Sequence, residues 1–180
     1  MPPIAPFALN GSTGTTLSWL AHLPRDTRQR HRAQYLNATS DLAASAVTFY
    51  GAAAPVLVTA ESASGQAVVN APGTGNFANG DIVLVYDDSS KTFYRMTVSS
   101  VDATTVTMTG NLSATLVPGD MLIKRGSVLG AIPIGAATKE VNASGSGFFC
   151  GETGRALWAE LTGTSACKIN ALAGDFVQGD

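Results

Sequence analysis

From residue 80 to residue 124 short apolar runs alternate with clusters of Asp, Ser, Gly and Pro. Ile82 to Tyr86 is an unbroken apolar run, too short for a stable helix and rich in Val and Ile. That predicts a strand buried on both faces, or one crossing a small barrel. Asp87 to Ser90 follows as a polar loop, because Asp and Ser side chains bond nearby backbone and favour turns. Next, Tyr94, Met96 and Val98 alternate with Arg95, Thr97 and Ser99. Successive strand side chains face opposite ways, so the first set is a core face and the second a wet one. Val106 and Met108 repeat the pattern, with Thr105, Thr107 and Thr109 outward. Gly80-Asp81 and Gly119-Asp120 each precede an apolar run, where Gly permits a turn and Asp ties down the strand start. Residues 55–59 and 66–69 read as earlier strands. The expected fold is mainly β, a small five- or six-stranded barrel or sandwich over residues 53–126.

Residues 1–52 read as an extended N-terminal arm containing a short helix. Pro2, Pro3 and Pro6 exclude a helix at the start. Phe7, Leu9 and Trp19 are apolar anchors, with two readings open: docking on a neighbouring molecule, or packing on the chain's own barrel. Residues 24–37 predict a short helix capped by Asp26 and carrying Arg28, Arg30 and Arg32. A solvated face is the plain reading of these arginines; contact with carboxylates of a partner subunit is the sharper one. The Ala-rich stretch after Ser40 suits one or two helical turns, and Val47 to Tyr50 suits a strand. Residues 127–180 read as a C-terminal β extension packed on the barrel or exchanged with a neighbour. Its candidate strands are 148–150, 156–161 and 166–170.

Composition sharpens the picture. Apolar residues make up 45% of the 180 residues and charged residues only 13%, about half the usual share. So few surface charges protect poorly against association, which points to a surface covered by copies of the same chain or by a partner. The net charge of −2 argues against general nucleic-acid binding, which needs a basic surface. No apolar run has the length of a membrane helix, and the start lacks the pattern of a secretory signal. The expectation is a protein made in a cytoplasm. In that setting Cys150 and Cys167 are expected to be separate thiols, although a bridge between C-terminal strands stays open.

Catalytic signatures are thin. His22 and His31 both lie in the basic N-terminal segment, away from any nucleophile elbow. Gly11-Ser12-Thr13-Gly14 and Gly73-Thr74-Gly75 lack the lysine or following helix of a phosphate loop. Asp87 and Asp88 suit a cation at a hairpin tip, with a polar turn as the plain alternative. Glu152 and Glu160 form a carboxylate pair only if the fold brings them together. The Asn-x-Ser/Thr triplets at Asn10, Asn37, Asn111 and Asn142 are expected by chance in so Ser- and Thr-rich a chain. No enzyme, cofactor or metal is expected.

The Gly-Asp turn, the apolar strand, the polar hairpin, Phe93-Tyr94-Arg95-Met96-Thr97-Val98, Val101-Asp102-Ala103-Thr104-Thr105-Val106-Thr107-Met108 and Pro118-Gly119-Asp120 together resemble small β-modules of tailed-bacteriophage structural proteins. These include head-decoration, head-fibre and tail proteins. The resemblance covers well under half of the chain. It implies a non-enzymatic virion component, most specifically a capsid decoration (cement) protein or head-fibre base that binds the shell as a homo-oligomer. Its partners would be copies of itself and the major capsid protein, with neither nucleic acid nor membrane. Phe7, Leu9, Trp19, Arg28, Arg30 and Arg32 would make the contacts. The alternatives are a tail or neck component, or a carbohydrate- or receptor-binding module stacking sugars on Trp158, Tyr86, Phe93 or Tyr94.

Overall fold

The computed structural model describes residues 17–20, 29–39, 45–90, 92–134, 139–142, 155, 157–162 and 168–178. It is mainly β and antiparallel, with no helix among the described residues. The strands are β1 (Leu17–Leu20), β2 (Gln29–Thr39), β3 (Ser45–Ala52), β4 (Val56–Leu57), β5 (Val68–Asn70), β6 (Ile82–Asp87), β7 (Thr92–Val101), β8 (Thr105–Met108), β9 (Met121–Ile134), β10 (Lys139–Asn142), β11 (Leu157–Thr162) and β12 (Lys168–Gln178). The chain forms two compact units. Ala53–Arg125 is one; the other is built from the chain up to Ala52 and from Gly126 onward.

In the Ala53–Arg125 unit the ladders run β9, β6, β7, β8, β5, with β4 also on β9. The alternation read from the sequence sets this register. Val83 and Val85 on β6, Val98 on β7, Val106 and Met108 on β8 and Leu122 on β9 share one core with Val58, Val69 and Leu116. Leu84, between the two core valines, is also buried at 2% exposure, so β6 is apolar because both of its faces are covered. The alternation breaks once. A bulge between Val98 and Ser100 makes Ser99 the extra residue on β7. Its hydroxyl donates towards the carbonyls of Thr107 and Met108 at 3.1 and 3.3 Å. Because of that extra residue both Val98 and Val101 reach the core. The ladders leave the sheet open, but single bonds continue past β4: Val58 N donates to Asp120 O and Thr59 N to Asn70 O, both at 2.8 Å.

The other unit contains the order β1, β11, β3, β9 and a separate three-stranded sheet, β10-β2-β12. Val47, Phe49 and Ala52 on β3 and Leu157, Trp158, Ala159 and Leu161 on β11 are buried apolar residues of this unit. The strand expected over 47–50 lies within β3. The short helix expected over 24–37 is not there from residue 29 on: Gln29 to Thr39 is strand, paired with β12 from Gln178 to Lys168. An isolated helix this short is marginal, and pairing with β12 along Gln29 to Thr39, interrupted at Gln34, gives the backbone ladder partners instead. Residues 24–28, the stretch after Ser40 and the candidate strand at 148–150 lie outside the described residues. Two strands run further than the sequence suggested. β9 continues through the small apolar stretch to Ile134, and β12 takes in most of the polar tail, to Gln178.

Candidate functional site

Two turns in the Ala53–Arg125 unit are built alike. Ala78-Asn79-Gly80-Asp81 and Val117-Pro118-Gly119-Asp120 each lead straight into a strand, β6 or β9. Gly80 and Gly119 have φ of 86° and 109°, the left-handed region that a side chain disfavours, at the turn position where a type II turn requires it. In each turn the Asp N–H donates back to the carbonyl three residues earlier, at 3.1 and 3.0 Å. In each, the Asp carboxylate accepts that same residue's N–H, at 2.7 Å from Ala78 and 2.8 Å from Val117. Since β6 and β9 are antiparallel neighbours, with Tyr86 opposite Met121 and Val83 opposite Lys124, the two devices sit at opposite ends of one strand pair.

Each carboxylate also reaches across to the neighbouring strand. Asp81 pairs with Lys124 Nζ at 2.7 Å. Asp120, only 1% exposed, accepts the N–H of Asp88 at 2.8 Å and so ties the end of β6 to the start of β9. Next to it, Asp87 holds the hairpin. Its Oδ1 accepts the Ser89 N–H and hydroxyl and the Ser90 N–H, at 2.9, 2.7 and 3.2 Å, and its Oδ2 accepts the Ser90 hydroxyl at 2.8 Å. The Ser89 and Ser90 hydroxyls, followed by their N–H groups, lower the Asp87 pKa to about 2, against the opposing effect of burial. Tyr94 lies beside both carboxylates, and its pKa is raised, first by burial and then by the charges of Asp87 and Asp120. Its hydroxyl is buried without a hydrogen-bond partner among the described residues. The Ser113 hydroxyl partly offsets the shift while standing outside good hydrogen-bond geometry.

This cluster holds backbone and is poorly suited to moving protons. A general acid or base needs a pKa near the working pH and a free lone pair. Asp87 is ionised down to about pH 2, and both its oxygens already accept hydrogen bonds. Among the described residues, no group of three or more His, Cys, Asp or Glu is placed to hold a metal. On the outer face of the same hairpin Tyr86 and Phe93 stack at 4.6 Å between ring centres and 31° between planes. Tyr86 also donates to Asp88 Oδ1 at 3.0 Å. Both rings are half-buried.

Trp19 lies on β1 opposite Ala159. Arg30 and Arg32 lie on β2 opposite Val177 and Asp175. Phe7, Leu9 and Arg28 fall outside the described residues, as do Cys150, Cys167, His22 and Glu152. Glu160 is buried on β11 between Ser18 and Thr48 and has an interaction partner of its own. Trp158 is fully buried, so it offers no ring face to a sugar, and its indole N–H finds no acceptor among the described residues. Tyr94 packs against the core. Sequence reading anticipated the Gly-Asp turns but not the lock between Asp120 and Asp88, because those residues meet only through the β6–β9 register. No helix among the described residues is long and apolar enough to cross a membrane. No protein-family model matches the chain, and no curated protein matches it.

Proposed function

We propose that this chain is a non-enzymatic structural component of a tailed-bacteriophage virion, a decoration protein or head-fibre base that binds the capsid shell and stabilises it as a homo-oligomer. The observation that carries the reading is the fate of the polar side chains. In the Ala53–Arg125 unit the carboxylates of Asp81, Asp87 and Asp120 all hold turns at the ends of strands. Such a unit is suited to standing as a rigid body. The 13% charged content supports a surface that is covered in an assembly, since charged residues are depleted where interfaces are buried. The phage resemblance of residues 80–124 supplies the kind of assembly. Within this reading the Ala53–Arg125 unit works as a small barrel, a reading supported by the single bonds from Val58 to Asp120, just before β9, and from Thr59 to Asn70 on β5. Contacts to the shell are assigned to Phe7, Leu9, Trp19, Arg28, Arg30 and Arg32.

The test is the stability of the shell itself. Shells of the bacteriophage encoding this chain, stripped of it and then reloaded, should rupture at a higher temperature than stripped shells. Equal rupture temperatures, with no chain co-purifying, contradict the proposal. The half-buried Tyr86–Phe93 pair favours one second reading, a carbohydrate- or receptor-binding surface on the same hairpin. Under that reading a glycan array gives hits that Phe93→Ala abolishes.

A further inference from the structure

The three-stranded sheet β10-β2-β12 is lopsided. β10 covers one side of β2 only from Tyr35 to Ala38, whereas β12 runs the full eleven residues along the other side. The outer edge of β12 has no strand on it among the described residues. A long edge of unpaired N–H and C=O groups is a template for another strand unless proline or repeated charge blunts it. β12 has no proline and only two charged residues, Lys168 and Asp175.

Those two charges have opposite signs, and a bulge aligns them. When two copies of a strand pair across a two-fold axis perpendicular to the sheet, facing residues lie on one side of the sheet. Facing residues must therefore share a face within each copy. In a regular strand Lys168 and Asp175, an odd number of positions apart, would point to opposite faces. β12 is not regular: Ile169 is opposite Ala38 and Ala171 opposite Asn37, so Asn170 is an extra residue. That one insertion puts positions 168 and 175 on the same face. A symmetric register then places Lys168 opposite Asp175 twice, Ile169 opposite Gly174, Ala171 opposite Ala173, and Leu172 opposite itself on the axis. Within each copy Asp175 is already opposite Arg32 on β2, so the register continues a row of alternating charge across the junction.

We propose that β12 pairs antiparallel with β12 of a second copy, centred on Leu172, so that two three-stranded sheets become one continuous sheet. The proposal rests on the self-assembly in the reading above but not on the shell.

Sedimentation equilibrium of the full chain tests it. The chain should dimerise, and Lys168→Glu should weaken the dimer roughly tenfold or more, because two attractive cross-strand pairs become repulsive. Combining Lys168→Glu with Asp175→Lys and Arg32→Glu, which keeps opposite charges across both junctions, should restore it. Under mild oxidation Leu172→Cys should give a covalent dimer on a non-reducing gel, well above the oxidised wild type, and Ile169→Cys should not. A monomeric wild type, a dimer indifferent to charge reversal, or Leu172→Cys cross-linking no better than wild type overturns the assignment. A chain that dimerises in this way but ignores phage shells keeps this interface and removes the shell-binding function.

Discussion

The carboxylate of Asp120 accepts two backbone N–H groups, from Val117 and Asp88, each at 2.8 Å. Removing it strands both donors in a site where Asp120 is 1% exposed. Hydrogen bonds to charged groups contribute about 1.5–3 kcal/mol, so Asp120→Ala should lower unfolding stability by roughly 2–4 kcal/mol in a denaturant titration. A loss below about 0.5 kcal/mol would show that the lock is decorative. Two titrations bracket the pH range. Asp87 has its pKa lowered from 3.8 to about 2. A lowered carboxylate pKa contributes stability above the unfolded value and loses it as pH falls through the folded one. The contribution should therefore fade between about pH 4 and pH 2, and Asp87→Asn should remove that part of the acid limb. Tyr94 is raised from 10.0, so its neutral form stabilises the fold below pH 10 and the contribution disappears as pH rises through the folded pKa. Tyr94→Phe should flatten the alkaline limb of the same melting curve. A single glycine matters for a different reason: a Cβ on Gly73 would land on the backbone carbonyls of Thr105 and Asp102.

At the scale of elements, legibility in the sequence depends on which forces act locally. Strands β7 and β8 announce themselves because one buried face imposes a period of two on Tyr94, Met96, Val98, Val106 and Met108, and β6 because both of its faces are covered and its apolar run is unbroken. The Gly-Asp turns are equally local, since the bonds that close them span three residues. The basic segment misleads because Arg, Gln and Ala are good helix formers, while its partner, β12, comes over a hundred residues later. Bulges escape for the same reason. Nothing in Val98-Ser99-Ser100-Val101 says that Ser99 is extra until β8 lies alongside. That bulge yields a sharp contrast. Ser99→Ala loses only hydroxyl bonds and should cost about 0.5–1.5 kcal/mol. Deleting Ser99 alone leaves Val98 and Val101 on one face of a regular strand, whereas deleting Ser99 and Ser100 together makes the two valines adjacent, on opposite faces, and takes Val101 off the core, so the double deletion should cost clearly more. Equal costs in thermal unfolding would mean that the facing of Val101 does not matter to the fold.

At the scale of the molecule, Ala53–Arg125 is continuous in sequence and has its own core of buried residues. It should therefore fold when expressed alone, with a cooperative melt and a β-type circular dichroism spectrum. A non-cooperative melt would make it dependent on the flanking chain. The flanking unit is of a different kind, because β2, the middle strand of its three-stranded sheet, comes from the N-terminal part and β10 and β12 from the C-terminal part. Removing residues 2–37 takes away β1 and most of β2 together, so truncation there alters sheets as well as any contact surface.

The proposed non-catalytic, shell-binding role is tested most directly by a mass measurement in solution, on the full chain alone and then mixed with purified phage capsids. A shell-binding homo-oligomer gives a stable oligomeric mass by itself and, with shells, a saturable rise in particle mass. A chain that remains monomeric at all concentrations and leaves the mass of the shells unchanged contradicts that role.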